Sequence, residues 1–304
     1  MQVPRLEFIG APKQRVVRKD GQALRRRVAA TAVAWMAFMG IADAEAPVTT
    51  VKPIAQDAAG CEAAAKTQPK PSAACLAIAE QLVEEAHGYY AAGDDGAAQP
   101  FLDHASRFAP RDLRLSFEQA LVDDASGRYL EARKRFDLLR GTAMWRAAAV
   151  PSAVNLALLG RFEDARAAFA ALSGSADTAE AGYAQLWQLW LDARTWQGDA
   201  AALREKLARN TVGLRADDAP QQALLNLFAG QGSVEAVFAA IEASTPENSL
   251  RRRDARTEAA FFAGGYVQYA LRDTAAAQRL YLRELPQSAA SVERPMIQQS
   301  LRSP

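Results

Sequence analysis

Side chains able to do acid–base, nucleophilic or metal chemistry are few in this chain and poorly spaced for it. Its 304 residues include two histidines, His87 and His104, and two cysteines, Cys61 and Cys75. Neither histidine stands at a metal-ligand spacing from a cysteine or a carboxylate, and a histidine-based triad has little material to draw on. No glycine-rich loop follows a strand, and no GxSxG occurs. Carboxylates do stand side by side, at Asp94-Asp95, Asp123-Asp124 and Asp217-Asp218. A glycosidase needs two carboxyls facing one bond, whereas sequence neighbours point apart, so these acids read as solvated turn or helix-edge residues. The expectation is a protein that binds and does not catalyse, with no cofactor and no metal.

The elements that must carry any binding residues announce themselves by a repeat. Gly93/Ala98/Leu102, Gly127/Ala132/Phe136 and Gly160/Ala165/Phe169 place the same residue types at the same offsets, with the glycines 34 and then 33 residues apart. A period of about 34 resembles a stack of two-helix tetratricopeptide units. Glycine suits the left-handed end of a first helix, which other residues enter only against a steric cost. The small alanine sits where the second helix comes closest to the first. One turn on, the leucine or phenylalanine, with Ala105, Leu139 or Leu172 beyond it, lies on the same face and fills the seam. Abundant alanine and the lack of strand-like alternation agree, and the expected fold is all-α, a right-handed α-solenoid of tetratricopeptide-like helix-turn-helix repeats. An irregular alanine-rich bundle is the alternative.

The formal net charge of +1 conceals an asymmetry. Residues 1–44 carry Arg5, Lys13, Arg15, Arg18, Lys19, Arg25, Arg26 and Arg27 against Glu7, Asp20 and Asp43, and without them the chain is mildly acidic. Nucleic acid is therefore not an expected partner. Arg25-Arg26-Arg27 precedes an apolar stretch from Val28 to Ala42, and Ala42-Asp43-Ala44 offers small residues at the positions a signal peptidase reads. Residues 1–44 thus read as a signal peptide cleaved before Glu45, with periplasmic export implied. Its basic region is long, which suits a translation start further along, at Val17 or Leu24. The apolar run falls short of the roughly 20 residues that span a bilayer, so a permanent anchor facing the periplasm is the lesser alternative.

Export changes the meaning of the cysteines. Residues 45–73 read as a linker rich in alanine, proline and polar residues, and in an oxidising compartment Cys61 and Cys75 pair across Pro69 and Pro71. A loop of about 15 residues closed this way is worth roughly 3 kcal/mol in the chain-entropy model. Two free thiols are the alternative. Ala59-Gly60-Cys61 also resembles the end of a lipoprotein cleavage site, although Lys52, Gln56 and Asp57 interrupt the apolar core that a lipid on Cys61 requires.

The helical region covers residues 74–304, with regular units over 79–172, irregular ones over 173–286 and a final helix within 287–304. The first helix is expected from Ala74 to Ala92, the second unit from Asp112 to Leu139 and the third from Trp145 to Leu172, where Pro151 kinks the first helix or occupies its first turn. Beyond Ser173 the reading gives helices at Ala179–Trp196, Ala200–Ala208, Pro220–Phe228, Ser233–Glu242, Asp254–Leu271 and Thr274–Glu284. Arg272 stands where the pattern wants glycine.

In such a stack the first helix of each unit lines a concave groove with its repeat sites 2, 5, 9 and 12. These are Glu80, Val83, His87 and Tyr90, then Arg114, Phe117, Leu121 and Asp124, a mixture suited to an extended peptide or a partner helix. Trp187, Trp190 and Trp196 recur at helical spacing and read as core before they read as an exposed patch. Arg251-Arg252-Arg253 and Arg256 crowd positive charge at a helix start, where the macrodipole disfavours it. They suit an acidic partner, anionic lipid headgroups or simply a solvated loop.

The C-terminal half resembles a particular family. Tyr183-Ala-Gln-Leu-Trp-Gln-Leu-Trp-Leu191, Ala229-Gly230 with Val234-Glu235, and Thr257-Glu-Ala-Ala-Phe-Phe-Ala-Gly264 with Tyr266 and Asp273 follow the order and spacing of the NlpI-like tetratricopeptide lipoproteins. The likeness is strongest over residues 180–301, and Val292–Leu301 matches their final helix. It implies a periplasmic adaptor, a homodimer, that brings clients to a processing protease and touches peptidoglycan-remodelling enzymes. The family's lipobox is missing here. Readings from other classes are a helical accessory domain of a murein-acting enzyme, and a subunit of an envelope secretion or polysaccharide-export machine.

Overall fold

The computed structural model describes residue 61 and residues 71–175, 177–247 and 249–302. The expected signal peptide, its cleavage site at Ala42, Ala44 and Glu45, and most of the linker lie outside the described residues. Those described form thirteen α-helices and no strand. The first six are α1 (Ala73–Ala91), α2 (Asp95–Phe108), α3 (Leu113–Ala125), α4 (Tyr129–Leu139), α5 (Trp145–Leu158) and α6 (Phe162–Leu172). Then come α7 (Thr178–Thr195), α8 (Ala200–Asn210), α9 (Ala219–Phe228), α10 (Val234–Ser244), α11 (Leu250–Gly265), α12 (Thr274–Glu284) and α13 (Arg294–Arg302). No helix among the described residues is long and apolar enough to cross a membrane.

Local chemistry sets these boundaries. Gly93, Gly127 and Gly160 close α1, α3 and α5 at φ of 84°, 79° and 73°, the left-handed turn the repeat asks of them. Arg272 makes the same turn at φ 58°, the one described non-glycine residue with positive φ. Asp94, Asp112, Asp177, Asp199, Asp218, Ser233, Ser249 and Asp273 each accept a backbone N–H in the first turn of the following helix, which satisfies donors the helix leaves unpaired. The Ser249 cap starts α11 four residues before the Asp254 expected from the pattern. Pro151 lies in the interior of α5, not in its first turn, and Pro100 lies inside α2.

Neighbouring helices pack in pairs, α1 with α2, α3 with α4, α5 with α6, α9 with α10 and α11 with α12. The residues of the repeat form the seams: Ala98, Leu102 and Ala105, then Ala132, Phe136 and Leu139, then Ala165 and Phe169 are wholly buried. The odd-numbered helices also touch one another, α1 with α3, α3 with α5, and α7 with both α9 and α11. They make two runs, α1 to α5 and α7 to α11, which α13 bridges into one odd-helix face. Two hydrophobic clusters meet within α5, where Ala148 belongs to the first and Val150 to the second. Trp187 and Trp190 sit at the centre of the second, Trp187 stacked on Phe169 and edge-on to Phe262 and both tilted against Phe261, while Trp196 is only partly buried. A β-carbon at Gly265 would stand 2.5 Å from the Trp190 indole, so glycine allows α11 to approach α7 this closely. After it the chain widens into one π-helical turn, Tyr266–Ala270.

Cys61 is bonded to Cys75 at the start of α1, as the oxidising reading requires, and both are buried. At the other end α13 folds back and packs against α3, α5, α11 and α12, bridging the two halves of the odd-helix face.

Gly160 separates backbone strain from crowding, because a β-carbon there meets nothing within 4 Å. Gly160→Ala is expected to lower the unfolding free energy by about 1–2 kcal/mol, the cost of an L-residue in the left-handed turn. Urea titration of the variant against the parent measures it.

Candidate functional site

The groove sites expected from the repeat lie on the odd-helix face, on α1 and α3. Glu80 is exposed, and His87 and Arg114 are partly exposed. Five others are buried: Val83, Tyr90, Phe117, Leu121 and Asp124. The expectation of an open groove is corrected at these positions, for two physical reasons. The odd helices approach one another closely enough to absorb Val83 and Phe117 into the first core. The chain's own C-terminal segment also lies on this face. Ala290, Ser291, Arg294 and Pro295 enclose a small space with Tyr90, Asp95 and Ala125, and Arg294 Nη1 donates to the Gly93 carbonyl at 3.1 Å.

Polar pairs tie successive odd helices together at nearly constant sequence offset. His87 Nδ1 pairs with Glu118 Oε2 at 3.1 Å, Arg114 bonds Glu84, and Asn155 Nδ2 donates to Asp124 Oδ1 at 2.7 Å. The hydrogen bond to the fully buried Glu118 raises the His87 pKa, against an opposing effect of burial. Burial raises the Asp124 carboxyl well above the usual range, partly offset by the Asn155 amide. Asp123 and Asp124 are both buried, not solvated as expected. Asp123 accepts from Arg128 at 2.7 Å and Arg135 at 2.8 Å. Of the other acidic pairs, Asp94 and Asp218 are caps and Asp217 accepts from Thr178, whereas Asp95 in the first turn of α2 is half-buried, and burial raises its carboxyl.

Further acids converge where the C-terminal segment crosses α11. Glu293 is buried and accepts from the Tyr183 hydroxyl of α7. Beside it on α11 are Asp254 and Glu258, and Gln221 of α9 donates to Glu258 at 3.2 Å. Burial and the Glu293 charge push Asp254 up to about 7. The same two causes raise Glu258, and burial raises Glu293. Asp218, which caps α9, adds to the repulsion at Glu258, and Arg253 opposes it at Asp254.

The arginine cluster has intramolecular partners. Arg256 donates twice to the buried Glu284 of α12, at 2.9 Å each, and once to Glu242 of α10 at 2.6 Å. Arg252 bonds the Thr245 carbonyl at 2.6 Å and pairs with Glu242 at 3.0 Å, and Arg253 reaches the Ser288 carbonyl at 2.9 Å. Arg252, Arg253 and Arg256 thus join α10, α11, α12 and the C-terminal segment. His104 rests against Phe108, with ring centroids 4.9 Å apart. Among the described residues no group of three or more His, Cys, Asp or Glu could hold a metal ion.

A cavity of about 400 Å³ opens where α13 passes α5, α7 and the π-helical turn. Trp190, Arg194, Gln268, Tyr269, Met296 and Gln299 are among its walls. The Arg194 guanidinium lies over the rings of Phe162 and Tyr269, 5.1 and 5.5 Å from their centroids. Sequence reasoning missed both this cavity and the acidic junction, because each joins residues more than 100 positions apart in the chain. The one local signal was the match to a final helix. Neither protein-family models nor curated proteins yield a match to this chain.

Two substitutions probe this polar framework. Glu118→Gln removes the partner that raises the His87 pKa above 6.5. The parent's advantage is expected to be about 1–2 kcal/mol at acidic pH and to shrink as pH rises through the folded-state value. Paired urea titrations at about pH 5.5 and about pH 8.5 read that difference. Arg256→Ala strands the Glu284 carboxylate, 1% exposed, with only Arg283 and Gln287 beside it. A loss of about 3 kcal/mol is expected in the same assay.

Proposed function

We propose that this chain is a non-catalytic scaffold of the periplasm, a right-handed α-solenoid of tetratricopeptide-like units that brings other envelope proteins together. The observation that carries this reading is the odd-helix face. Helix after helix contributes to it, it is tied at regular offsets by His87–Glu118 and Asp124–Asn155, and it is shaped to seat a helix, since α13 lies on it. A long, shallow surface of this kind suits a partner's helix or extended segment. Holding two clients at once raises the effective concentration of one for the other, which accelerates their reaction without any catalytic group on the scaffold. The bonded Cys61–Cys75 pair supports an oxidising compartment, and this bond is the chemical alternative to a lipid on Cys61. The proposed clients, following the family likeness, are a processing protease and peptidoglycan-remodelling enzymes.

Photocrosslinking in cells tests the reading. A crosslinker at Arg114, partly exposed on the odd-helix face, is expected to trap envelope proteins that the same group at Leu138 on α4, 69% exposed, does not. Identical adducts from the two positions would remove the face from the mechanism. Turnover of purified peptidoglycan by the isolated protein would overturn the non-catalytic assignment.

A further inference from the structure

The C-terminal segment occupies the face that the rest of the fold builds, and it is held there by an uneven set of contacts. Met296 and Ile297 are buried, about 1.5–3 kcal/mol each by apolar area. Gln299 Nε2 donates to the Leu158 carbonyl at 3.1 Å, and Arg253 to the Ser288 carbonyl at 2.9 Å. Against these stand several defects. Arg294 Nε and Asp95 Oδ1 are buried with no hydrogen-bond partner, and the guanidinium comes no nearer than 3.9 Å to that carboxylate. Trp190 Nε1 and Gln268 Oε1 are likewise unpartnered, and both residues line the cavity under α13. Unpaired buried polar atoms cost about 1–3 kcal/mol each. Residues 288–293 link α13 to the body without helical structure. The segment is therefore joined to α12 by a stretch that can change direction without unwinding a helix.

We propose that residues 288–302 form an exchangeable plug on the odd-helix face, released through the carboxyl junction of Glu293 with Asp254 and Glu258, and that a partner's basic amphipathic helix takes the vacated place. Charge complementarity argues for that partner. Asp95, Glu118 and Asp124 of the body all act on Tyr90, so the face is acidic there, and α13 itself presents Arg294 and Arg302. The exchange stands independently of the adaptor reading; only the competing helix rests on it.

The junction gives the exchange a pH dependence. Facing Glu293 are Tyr183 from α7, and Asp254 and Glu258 from α11, with Arg253 nearby; Asp218 and Gln221 of α9 face Glu258. On the other elements under the segment, Asp124 of α3 is bonded to Asn155 of α5, and Glu284 of α12 to Arg256. Seating raises the three acids above their ordinary carboxyl values. Their contribution to seating is therefore complete below those ordinary values and is lost as pH rises through the raised ones, about 7 for Asp254.

Hydrogen exchange on the full chain tests the plug. After correction for intrinsic rates, protection over 294–302 is expected to fall at least about tenfold from about pH 5.5 to about pH 8, while that of α11 stays level. Glu258→Gln is expected to flatten this change. Equal protection in α13 and α11 at both pH values would overturn the plug. The groove is tested separately with a fluorescent peptide of residues 288–304. Ile297→Asp, which unseats α13, is expected to bind it at least about 30-fold more tightly than the parent does. An unchanged α1–α6 exchange pattern certifies that the variant is folded. If exchange shows opening but the peptide binds neither form, the partner-helix assignment fails and the plug stands. If Ile297→Asp elutes as a dimer, the face belongs to a second copy, which also overturns the partner-helix assignment.

Discussion

Everything in this fold depends on how close one helix can come to the next. Alanine at Ala98, Ala132 and Ala165 sets the spacing within a pair, and the left-handed turns at Gly93, Gly127 and Gly160 fix the direction from which the second helix returns. With both constant, successive first helices fall beside one another and share a face. That face must be covered by something, and here α13 covers it across α3 and α5 on one side and α11 and α12 on the other.

Charge follows the same geometry. Isolated in the sequence, the arginines from Arg251 to Arg256 and the acids Asp123 and Asp124 look like surface groups. In the fold most of them are turned inward and paired, Arg256 with Glu284, Arg252 with Glu242, Asp123 with Arg128 and Arg135, and Asp124 with Asn155. Where the C-terminal segment meets the body, by contrast, Arg294 Nε, Asp95 Oδ1 and Ser291 Oγ lack partners. Stability and exchange are thus allotted to different places in one molecule.

The all-helical fold was legible because its determinants are local. The glycine turns, the Asp and Ser caps and the alanine seams each act within one or two turns of helix, and they place most helices within a residue or two of where they stand. Even the irregular turn at Arg272 was marked by its position in the pattern, and its φ of 58° bears that out. The candidate face was legible only in part. Repeat counting put Tyr90 on the correct surface, yet it could not show it covered, because the covering residues lie some 200 positions away, as the contact of Arg294 with Gly93 illustrates. Periodicity carries information about neighbours, and a chain folding back on itself leaves no periodic trace.

That fold-back also orders events in time. Residues of α13 follow every helix they cover, so as the chain emerges and its pairs assemble from the N-terminal side, the odd-helix face is complete but bare until residue 302 is available. For that interval the molecule offers an acidic, partly apolar surface to whatever is nearby. A factor that meets the nascent chain then faces no competitor, whereas one arriving later must displace α13, and the same surface thereby tells young molecules from mature ones.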